Sequence, residues 1–245
     1  MRLHVTGATG YLGSELARLR ADASTERVEV RDGRAVRELF ERVRPEVVIH
    51  TAYRQDGPDA WAVTVDGAEH VADAAAAVGA RLVHLSTDVV FDGRKGSPYV
   101  ESDPPEPVTA YGRTKAEAEE RVGAAHAGAL LVRTSLLYGG AEPSKHERAA
   151  NDPGMTFYTD EIRSPVHVGD LASALLELAE LDVTGPLHVA GADAVSRAEL
   201  ARLIAGRPVA TAKAPPDRPL DCTLDSSRAQ ALLRTPLRGV REVLP

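Results

Sequence analysis

The segment Tyr111-Gly112-Arg113-Thr114-Lys115 places a phenol and an ammonium four residues apart. In a helix this spacing puts both side chains on one face. A tyrosine in water has a pKa of about 10 and is a poor acid at neutral pH, but a neighbouring cation favours the phenolate and lowers that pKa. The pair therefore predicts a proton donor at Tyr111 that is assisted by Lys115. The alternative is an ordinary pair on an exposed helix surface.

A third polar side chain, Thr87, follows the run at 81–86, which contains Leu82, Val83 and Leu85. That run predicts a buried strand, and open α/β sheets bind their ligands at the carboxyl ends of the strands. We therefore expect the Thr87 hydroxyl to bond to the same substrate oxygen that Tyr111 protonates. Asp88 and Val89 come directly after Thr87 and are predicted to contact the substrate. Thr87, Tyr111 and Lys115 are the candidate catalytic residues.

Near the amino terminus, Gly7, Gly10 and Gly13 are spaced three residues apart between an apolar run at 3–5 and a helical pattern at 14–19. Gly7 can adopt the backbone angles of a sharp turn. Gly10 lets a pyrophosphate approach the backbone, and Gly13 lets the helix pack closely on the sheet. The N–H groups at the start of that helix would then face the phosphates. The spacing predicts a dinucleotide site, and the alternative is a structural turn.

Strand and helix patterns alternate along the first 140 residues. Predicted strands lie at 27–30, 46–50, 81–86 and 129–133, and predicted helices at 33–43, 59–78 and 110–125. Alternation of this kind predicts an α/β fold with a doubly wound parallel sheet, the Rossmann arrangement.

After residue 140 the pattern is less regular. It contains a loop or short helix at 141–154, helices at 170–181 and 196–205, a short strand at 186–189 and a loop at 208–219. We predict a dinucleotide-binding domain over 1–140. Residues 141–245 are predicted to form a small substrate-facing lobe, integrated with it into one structural domain.

Composition restricts the classes of partner. The chain has 245 residues and a net charge of −7, which argues against nucleic acid and anionic membranes as partners. No apolar run is long enough to span a bilayer, and the first residues enter a strand, so a cytoplasmic protein without a signal peptide is expected. Cys222 is the only cysteine, which excludes an internal disulfide. The eight histidines lack metal-ligand spacing, so no metal is predicted.

Several longer segments add a family resemblance. They are Thr6 to Gly13, Leu85 to Gly93, Tyr99 to Asp103, Tyr111 to Lys115, Arg133 to Ser135 with Tyr138 and Gly139, and Ser164 to Ala172. In this order and spacing they resemble dTDP-4-dehydrorhamnose reductases and their sugar-nucleotide-binding relatives, which are short-chain dehydrogenase/reductases of the extended type. The resemblance implies hydride transfer from NAD(P)H to a ketone carbon, with Tyr111 as proton donor. It also implies that Lys115 holds the nicotinamide ribose.

The same resemblance implies further binding residues. Tyr11 and Leu12 would bind the pyrophosphate through their backbone, and the consecutive residues Thr51, Ala52 and Tyr53 would line the cofactor. Arg163 lies in a segment that the family places near the substrate. Arg218 begins a segment similar to the family's R-P-x-x-x-x-L-D and is predicted to pair with a substrate phosphate.

The choice between the two nicotinamide cofactors depends on three charged residues. Asp32 lies about 20 residues past the glycines, where an acidic residue bonds to the ribose hydroxyls and favours NAD(H). Arg31 and Arg34 flank it, and an arginine can bind a 2′-phosphate with two hydrogen bonds. We expect NADP(H), with NAD(H) as the alternative.

Three departures from the family bear on the substrate. Val89 stands where the family commonly has tyrosine, Thr64 stands where it commonly has asparagine, and the stretch at 139–157, which helps to close the sugar pocket, is short. The expected activity is reduction of a keto-sugar nucleotide. The alternatives are a nucleotide-sugar epimerase or dehydratase that uses the same three residues, or an NADP-binding regulatory subunit without turnover. A homodimer is the expected assembly if the chain is not monomeric.

Overall fold

Strand and helix alternate along most of the chain in the computed structural model, which describes residues 1–245. The strands are β1 (Leu3–Thr6), β2 (Val47–His50), β3 (Arg81–Thr87), β4 (Leu130–Thr134), β5 (Leu137–Tyr138), β6 (Thr156–Tyr158), β7 (Ile162–Arg163), β8 (Val166–His167), β9 (Gly185–His188), β10 (Val195–Ser196) and β11 (Ala210–Ala212). The α-helices are α1 (Tyr11–Leu19), α2 (Gly33–Val43), α3 (Gly67–Ala77), α4 (Ala110–Ala125), α5 (Lys145–Asn151), α6 (Val168–Leu178), α7 (Arg197–Ala205), α8 (Ser227–Leu232) and α9 (Val240–Val243).

A parallel sheet of five strands, in the order β1-β2-β3-β4-β9, confirms the predicted α/β class. All four residues of β1 and of β2 are buried, as is β3 apart from its first residue. This burial explains why the strands read as continuous apolar runs rather than alternating patterns. The register aligns Thr6 of β1 with His50 of β2 and His50 with His84 of β3, so three polar side chains form one row across the sheet.

The helix predicted at 59–78 forms, but it contains a π-helical turn at Ala62–Asp66 before α3 begins. Thr64 lies in that turn, and its hydroxyl bonds to both the backbone N–H and the carbonyl of Arg54, at 3.0 and 2.9 Å. A π turn inserts one extra residue and redirects the side chains around it. Thr64 therefore fixes the loop that follows β2.

The strand predicted at 27–30 is wrong. Only an isolated bridge between His4 and Ser24 forms beside β1, which leaves β1 at the edge of the sheet. The chain meets β1 earlier, at Ser24, whose N–H donates to the Leu3 carbonyl at 2.8 Å and whose carbonyl accepts from the Val5 N–H at 2.9 Å. Within the predicted strand only Val30 is buried.

The chain divides into two compact units. Unit 1 comprises 1–86, 113–132 and 175–187, and unit 2 comprises 87–112, 133–174 and 188–245. The core of unit 1 packs α2, α3 and part of α4 against the sheet. Unit 2 contains smaller apolar clusters around α5, α7 and α9. Its strand β11 pairs in parallel with β6, in a stretch where the sequence predicted only loop. None of the helices is long and apolar enough to cross a membrane.

Candidate active site

The glycine turn has the close backbone contacts that a dinucleotide site requires. Gly7 has a φ of +73°, and a Cβ placed on it would lie 2.7 Å from the Ala52 nitrogen. A Cβ on Gly13 would lie 2.2 Å from the Gly7 carbonyl oxygen. Gly10 precedes α1 in an extended conformation, and no side chain caps the helix. Since the first turn of a helix has N–H groups without intrahelical partners, this end of α1 is suited to an anion.

The residues that follow β2 pack against the glycine turn. The Thr51 hydroxyl donates to the Thr6 carbonyl at 2.7 Å, and Ala52 packs under Gly7. Tyr53 extends outward and is 47% exposed. Tyr11 and Leu12 form the start of α1, where Leu12 is buried. These residues of unit 1 form a cradle without side chains at its narrowest points, and this cradle fits a dinucleotide phosphate.

The charged residues before α2 are all exposed. The Asp32 carboxylate caps α2 by accepting hydrogen bonds from the backbone N–H groups of Arg34 and Ala35, both at 3.1 Å. Arg31 forms a two-bond ion pair with Glu29, at 2.9 Å for each bond, and its other nitrogen lies 3.3 Å from Asp59. Arg31 must therefore leave one of its carboxylate partners before it can bind a phosphate. Both hydrogen bonds to Asp32 use the same carboxylate oxygen, so the other oxygen can still accept a bond.

Thr87 ends β3 and leads into a 3-10 turn at Asp88–Val90. Its hydroxyl donates to one Asp88 oxygen at 3.1 Å and accepts a long bond from the Val89 N–H at 3.4 Å. The other Asp88 oxygen accepts a hydrogen bond from the Ser135 hydroxyl at 2.5 Å. Burial raises the pKa of Asp88, while Arg163 and the two hydroxyls act in the opposite direction. Asp88 thus fixes the orientation of Thr87.

The start of α4, which carries Tyr111, packs directly against that turn. The Thr109 hydroxyl accepts a hydrogen bond from the Gly112 N–H at 3.0 Å and so caps the helix. A Cβ on Gly112 would lie only 2.2 Å from the Val89 carbonyl oxygen. The absence of a side chain at Gly112 therefore lets the first turn of α4 approach the segment that follows Thr87. The motif from Tyr111 to Lys115 gave no role to Gly112, although a glycine inside a helical pattern is itself a signal of close packing.

Lys115 lies one helical turn after Tyr111 and is 3% exposed. Its ammonium donates a short hydrogen bond to the Leu85 carbonyl on β3 and lies 3.4 Å from His84 Nε2. Burial lowers the pKa of Lys115 to about 8, so the amine is still mostly protonated at neutral pH. The ammonium is therefore held against the strand that ends in Thr87.

Two buried histidines extend this polar contact across the sheet. The rings of His84 and His50 stack with centroids 5.3 Å apart, and His50 Nδ1 lies 2.6 Å from the Thr6 hydroxyl. Burial, and after it the charge of Lys115, lowers the pKa of His50 to about 3 and the pKa of His84 well below its ordinary value. Neutral His84 can accept a hydrogen bond from Lys115 only at Nε2, which leaves its buried Nδ1 without a partner. The contact between His84 and Lys115 was not predicted.

The low pKa of Lys115 predicts that the difference in stability between the native protein and Lys115→Met changes with pH. Between its folded pKa of about 8 and its ordinary value of 10.5, the unfolded chain binds one more proton than the folded chain. Raising the pH therefore stabilises the native protein relative to Lys115→Met. We expect the difference in free energy of unfolding to rise by about 1.4 kcal/mol per pH unit from about pH 8 to 10.

Urea unfolding of both proteins across this pH range measures the difference. Lys213→Met removes an amine that is 78% exposed and serves as the matched control, for which a flat difference is expected. A flat difference for Lys115→Met as well would contradict the burial of an ionised amine at this position.

The two arginines predicted to bind substrate lie in unit 2 and differ in exposure. Arg163 is 3% exposed and donates to the backbone carbonyls of Ile162, Pro219 and Leu220. Arg218 is partly exposed and forms two hydrogen bonds with the buried Glu161, at 2.5 and 3.2 Å. Most N–H groups of the Arg163 guanidinium are therefore already bonded within the protein. In Arg218, the terminal nitrogen that does not bond to Glu161 can still donate to a ligand.

The family comparison covers the whole chain. The family model described as the RmlD substrate binding domain matches residues 1–245. The chain belongs to the RmlD substrate-binding domain family.

Two relatives that cover nearly the whole chain carry different names. The dTDP-4-dehydrorhamnose reductase of Mycobacterium tuberculosis is 36% identical, over 99% of this chain and 91% of its own length. Methionine adenosyltransferase 2 subunit beta of Bos taurus is 32% identical, over 99% of this chain and 87% of its own length.

Solved structures agree with the RmlD assignment. A hypothetical dTDP-4-dehydrorhamnose reductase from Sulfolobus tokodaii has a TM-score of 0.85 and 31% identity, and the alignment covers 98% of this chain and 97% of that one. The dTDP-4-dehydrorhamnose reductase of Bacillus anthracis in complex with NADP has a TM-score of 0.84 and 26% identity, with 96% and 95% covered.

Proposed function

We propose that this protein is an NADPH-dependent reductase that converts the ketone of a nucleotide-linked keto-sugar into an alcohol. The observation that carries the proposal is Lys115, whose buried ammonium is bonded to the backbone of β3 two residues before Thr87 and lies one turn after Tyr111 on α4. An exposed surface pair would have no such anchor. The reductases among the relatives and the NADP complex of one of them support the proposal.

The cofactor would be held by the cradle of unit 1. Gly7, Gly10 and Gly13 leave the backbone open to the pyrophosphate, which Tyr11 and Leu12 would bind through their N–H groups. Thr51, Ala52 and Tyr53 would line the adjoining part of the cofactor. When bound, NADPH supplies a hydride to the ketone carbon and becomes NADP⁺.

Three side chains would handle the proton and the oxygen. Tyr111 gives its phenolic proton to the ketone oxygen, so that hydride and proton together form the alcohol. Thr87, oriented by Asp88, bonds to that oxygen and fixes its position. Lys115 favours the phenolate that remains on Tyr111, which regains its proton from solvent.

Substrate contacts are proposed for three residues of unit 2, and an indirect contribution for a fourth. Asp88 and Val89 follow Thr87 directly, so they are expected to lie beside the sugar. Arg218 would pair with a substrate phosphate through the part of its guanidinium that Glu161 does not use. For Arg163 the bonds to three carbonyls favour an indirect contribution, in which it positions the loop at 219–220.

The preference for NADPH is expected to depend on Arg34 more than on Arg31. Arg34 is 83% exposed and has one long ion pair with Glu38, whereas Arg31 must leave Glu29 to meet a 2′-phosphate. We expect Arg34→Ala to raise the Kd of NADPH roughly 10-fold, with a smaller effect from Arg31→Ala.

Fluorescence titrations of NADPH and NADH into the two variants measure this effect. The Kd of NADH is the internal control, since it lacks the 2′-phosphate and should not change. Equal losses for both cofactors would remove the basis for the preference.

The second candidate is an NADP-binding regulatory subunit without turnover, which the relatives named as methionine adenosyltransferase 2 subunit beta support less well than the reductases support a reductase. An epimerase or dehydratase would use the same three residues and is the further alternative. Incubating the protein with NADPH and a panel of nucleotide-linked keto-sugars distinguishes these functions. Oxidation of NADPH with one of them supports the reductase. Binding of NADPH without turnover on any ketone would contradict it and favour the regulatory subunit. The cytoplasmic location and the homodimer stay predictions from sequence.

A further inference from the structure

Five charged side chains of unit 2 lie close together around β7. They are the carboxylates Asp88 and Glu161 and the guanidiniums Arg163, Arg197 and Arg218. Asp88, Glu161 and Arg163 are each at most 3% exposed. Buried charges are stable only when they are paired. The cluster has three positive charges and two negative ones, so one cation lacks a counter-ion within it.

That cation is Arg197. Both Glu161 oxygens bond to Arg218, and the Asp88 oxygens accept from Thr87 and Ser135, with Arg163 at 3.7 Å. Arg197 itself is tied to the cluster by its backbone, since its N–H donates to the Glu161 carbonyl at 2.8 Å. Its guanidinium makes no hydrogen bond and no ion pair within 4 Å, although the charges of Glu161 and Asp88 act on it.

The surroundings of Arg197 do not supply another anion. Arg197 is the first residue of α7, and α5 packs against that helix through small side chains that include Ala150 and Ala198. His146 of α5 lies nearby, and burial, followed by the charges of Arg197 and Lys145, lowers its pKa to about 3. His146 is therefore a neutral neighbour that can share a hydrogen bond with a ligand but cannot balance the charge of Arg197.

We propose that Arg197 is the residue that binds the anionic group of the substrate, a phosphoryl oxygen of a nucleoside diphosphate, with Arg218 at its side. The inference rests on the proposed function for the identity of the ligand. A diphosphate supplies the negative charge that the cluster lacks, and a guanidinium bonds to phosphate oxygens through two parallel N–H groups. Nothing in the sequence pattern marks Arg197, because its lack of a counter-ion arises only from the pairing of the other four residues.

Calorimetric titration with dTDP, and separately with inorganic pyrophosphate, tests the inference without requiring turnover. We expect Arg197→Met to raise the Kd of dTDP roughly 10- to 100-fold, and Arg197→Lys to restore part of the affinity. Arg202→Met is the matched control, because Arg202 lies exposed on the same helix and carries the same charge. It should bind dTDP like the native protein.

Thermal unfolding without ligand gives an independent readout. Arg197→Met removes a partly buried charge that forms no ion pair within 4 Å, so its Tm should be equal to or above that of the native protein. At one dTDP concentration, the rise in Tm should be equal for the native protein and Arg202→Met and clearly smaller for Arg197→Met. A fall in the Tm of Arg197→Met without ligand would show a stabilising role and overturn the inference.

The remaining outcomes separate this inference from the proposed function. If dTDP binds the native protein and Arg197→Met equally, or does not bind the native protein, the anion site is wrong, whatever the enzyme reduces. If dTDP binds in an Arg197-dependent manner but no keto-sugar nucleotide is reduced, the anion site stands and the reductase is wrong. Where turnover is found, Arg197→Met should raise KM with little change in kcat.

Discussion

Replacing Tyr111 by phenylalanine is expected to lower kcat with the keto-sugar substrate by roughly 10²- to 10⁴-fold, the usual contribution of a positioned general acid. The change removes one hydroxyl and leaves the aromatic ring at the start of α4. Folding and cofactor affinity should therefore stay close to those of the native protein. Steady-state kinetics, together with a fluorescence titration of NADPH, measure the two quantities separately.

Tyr138→Phe is the matched control for this variant. The Tyr138 side chain is fully buried and its hydroxyl has no hydrogen-bond partner, so its loss removes no bond. We expect native kcat and KM for the control. If Tyr111→Phe also kept native turnover on the substrate, Tyr111 would not be the proton donor and the proposed mechanism would fail.

The sequence predicted the elements whose signal is local. β3 and α4 appear at the predicted positions, because a buried parallel strand reads as a continuous apolar run and α4 has strong helix formers between a capping threonine and His126. The strand predicted at 27–30 shows the limit of that signal. Valines at alternate positions satisfy a strand pattern, but the chain bonds to β1 at Ser24, before it reaches them.

From the sequence, we predicted only those residues of the site that belong to motifs. The glycine turn, Thr87 and Lys115 were predicted in this way. Gly112, His84 and Arg197 were assigned no role in the site, since each depends on a contact between segments far apart in sequence. His84 shows this most clearly, because an apolar strand that contains a histidine does not reveal that Lys115 will lie 3.4 Å from its ring.

The close contact at Gly112 provides the second large expected effect. In a helix interior where the added methyl group meets no other atom, replacing glycine by alanine stabilises a protein by about 0.5–1 kcal/mol. At Gly112 the added Cβ would lie 2.2 Å from the Val89 carbonyl oxygen and 2.9 Å from Pro107 Cβ. Backbone must move to relieve these contacts, and overpacking of this kind costs about 1–3 kcal/mol.

We therefore expect Gly112→Ala to lower kcat roughly 100-fold, because a shift of about 1 Å at the start of α4 displaces Tyr111 from the segment that carries Thr87. Cofactor affinity should change little, since Lys115 lies a full turn further along α4. Gly123→Ala is the matched control: Gly123 lies in the same helix, and a Cβ there would have no atom within 4 Å. The control should gain stability and keep native kcat. Kinetics and urea unfolding of both variants decide the matter, and a Gly112→Ala protein that behaved like the control would show that the approach of α4 to Val89 does not position Tyr111.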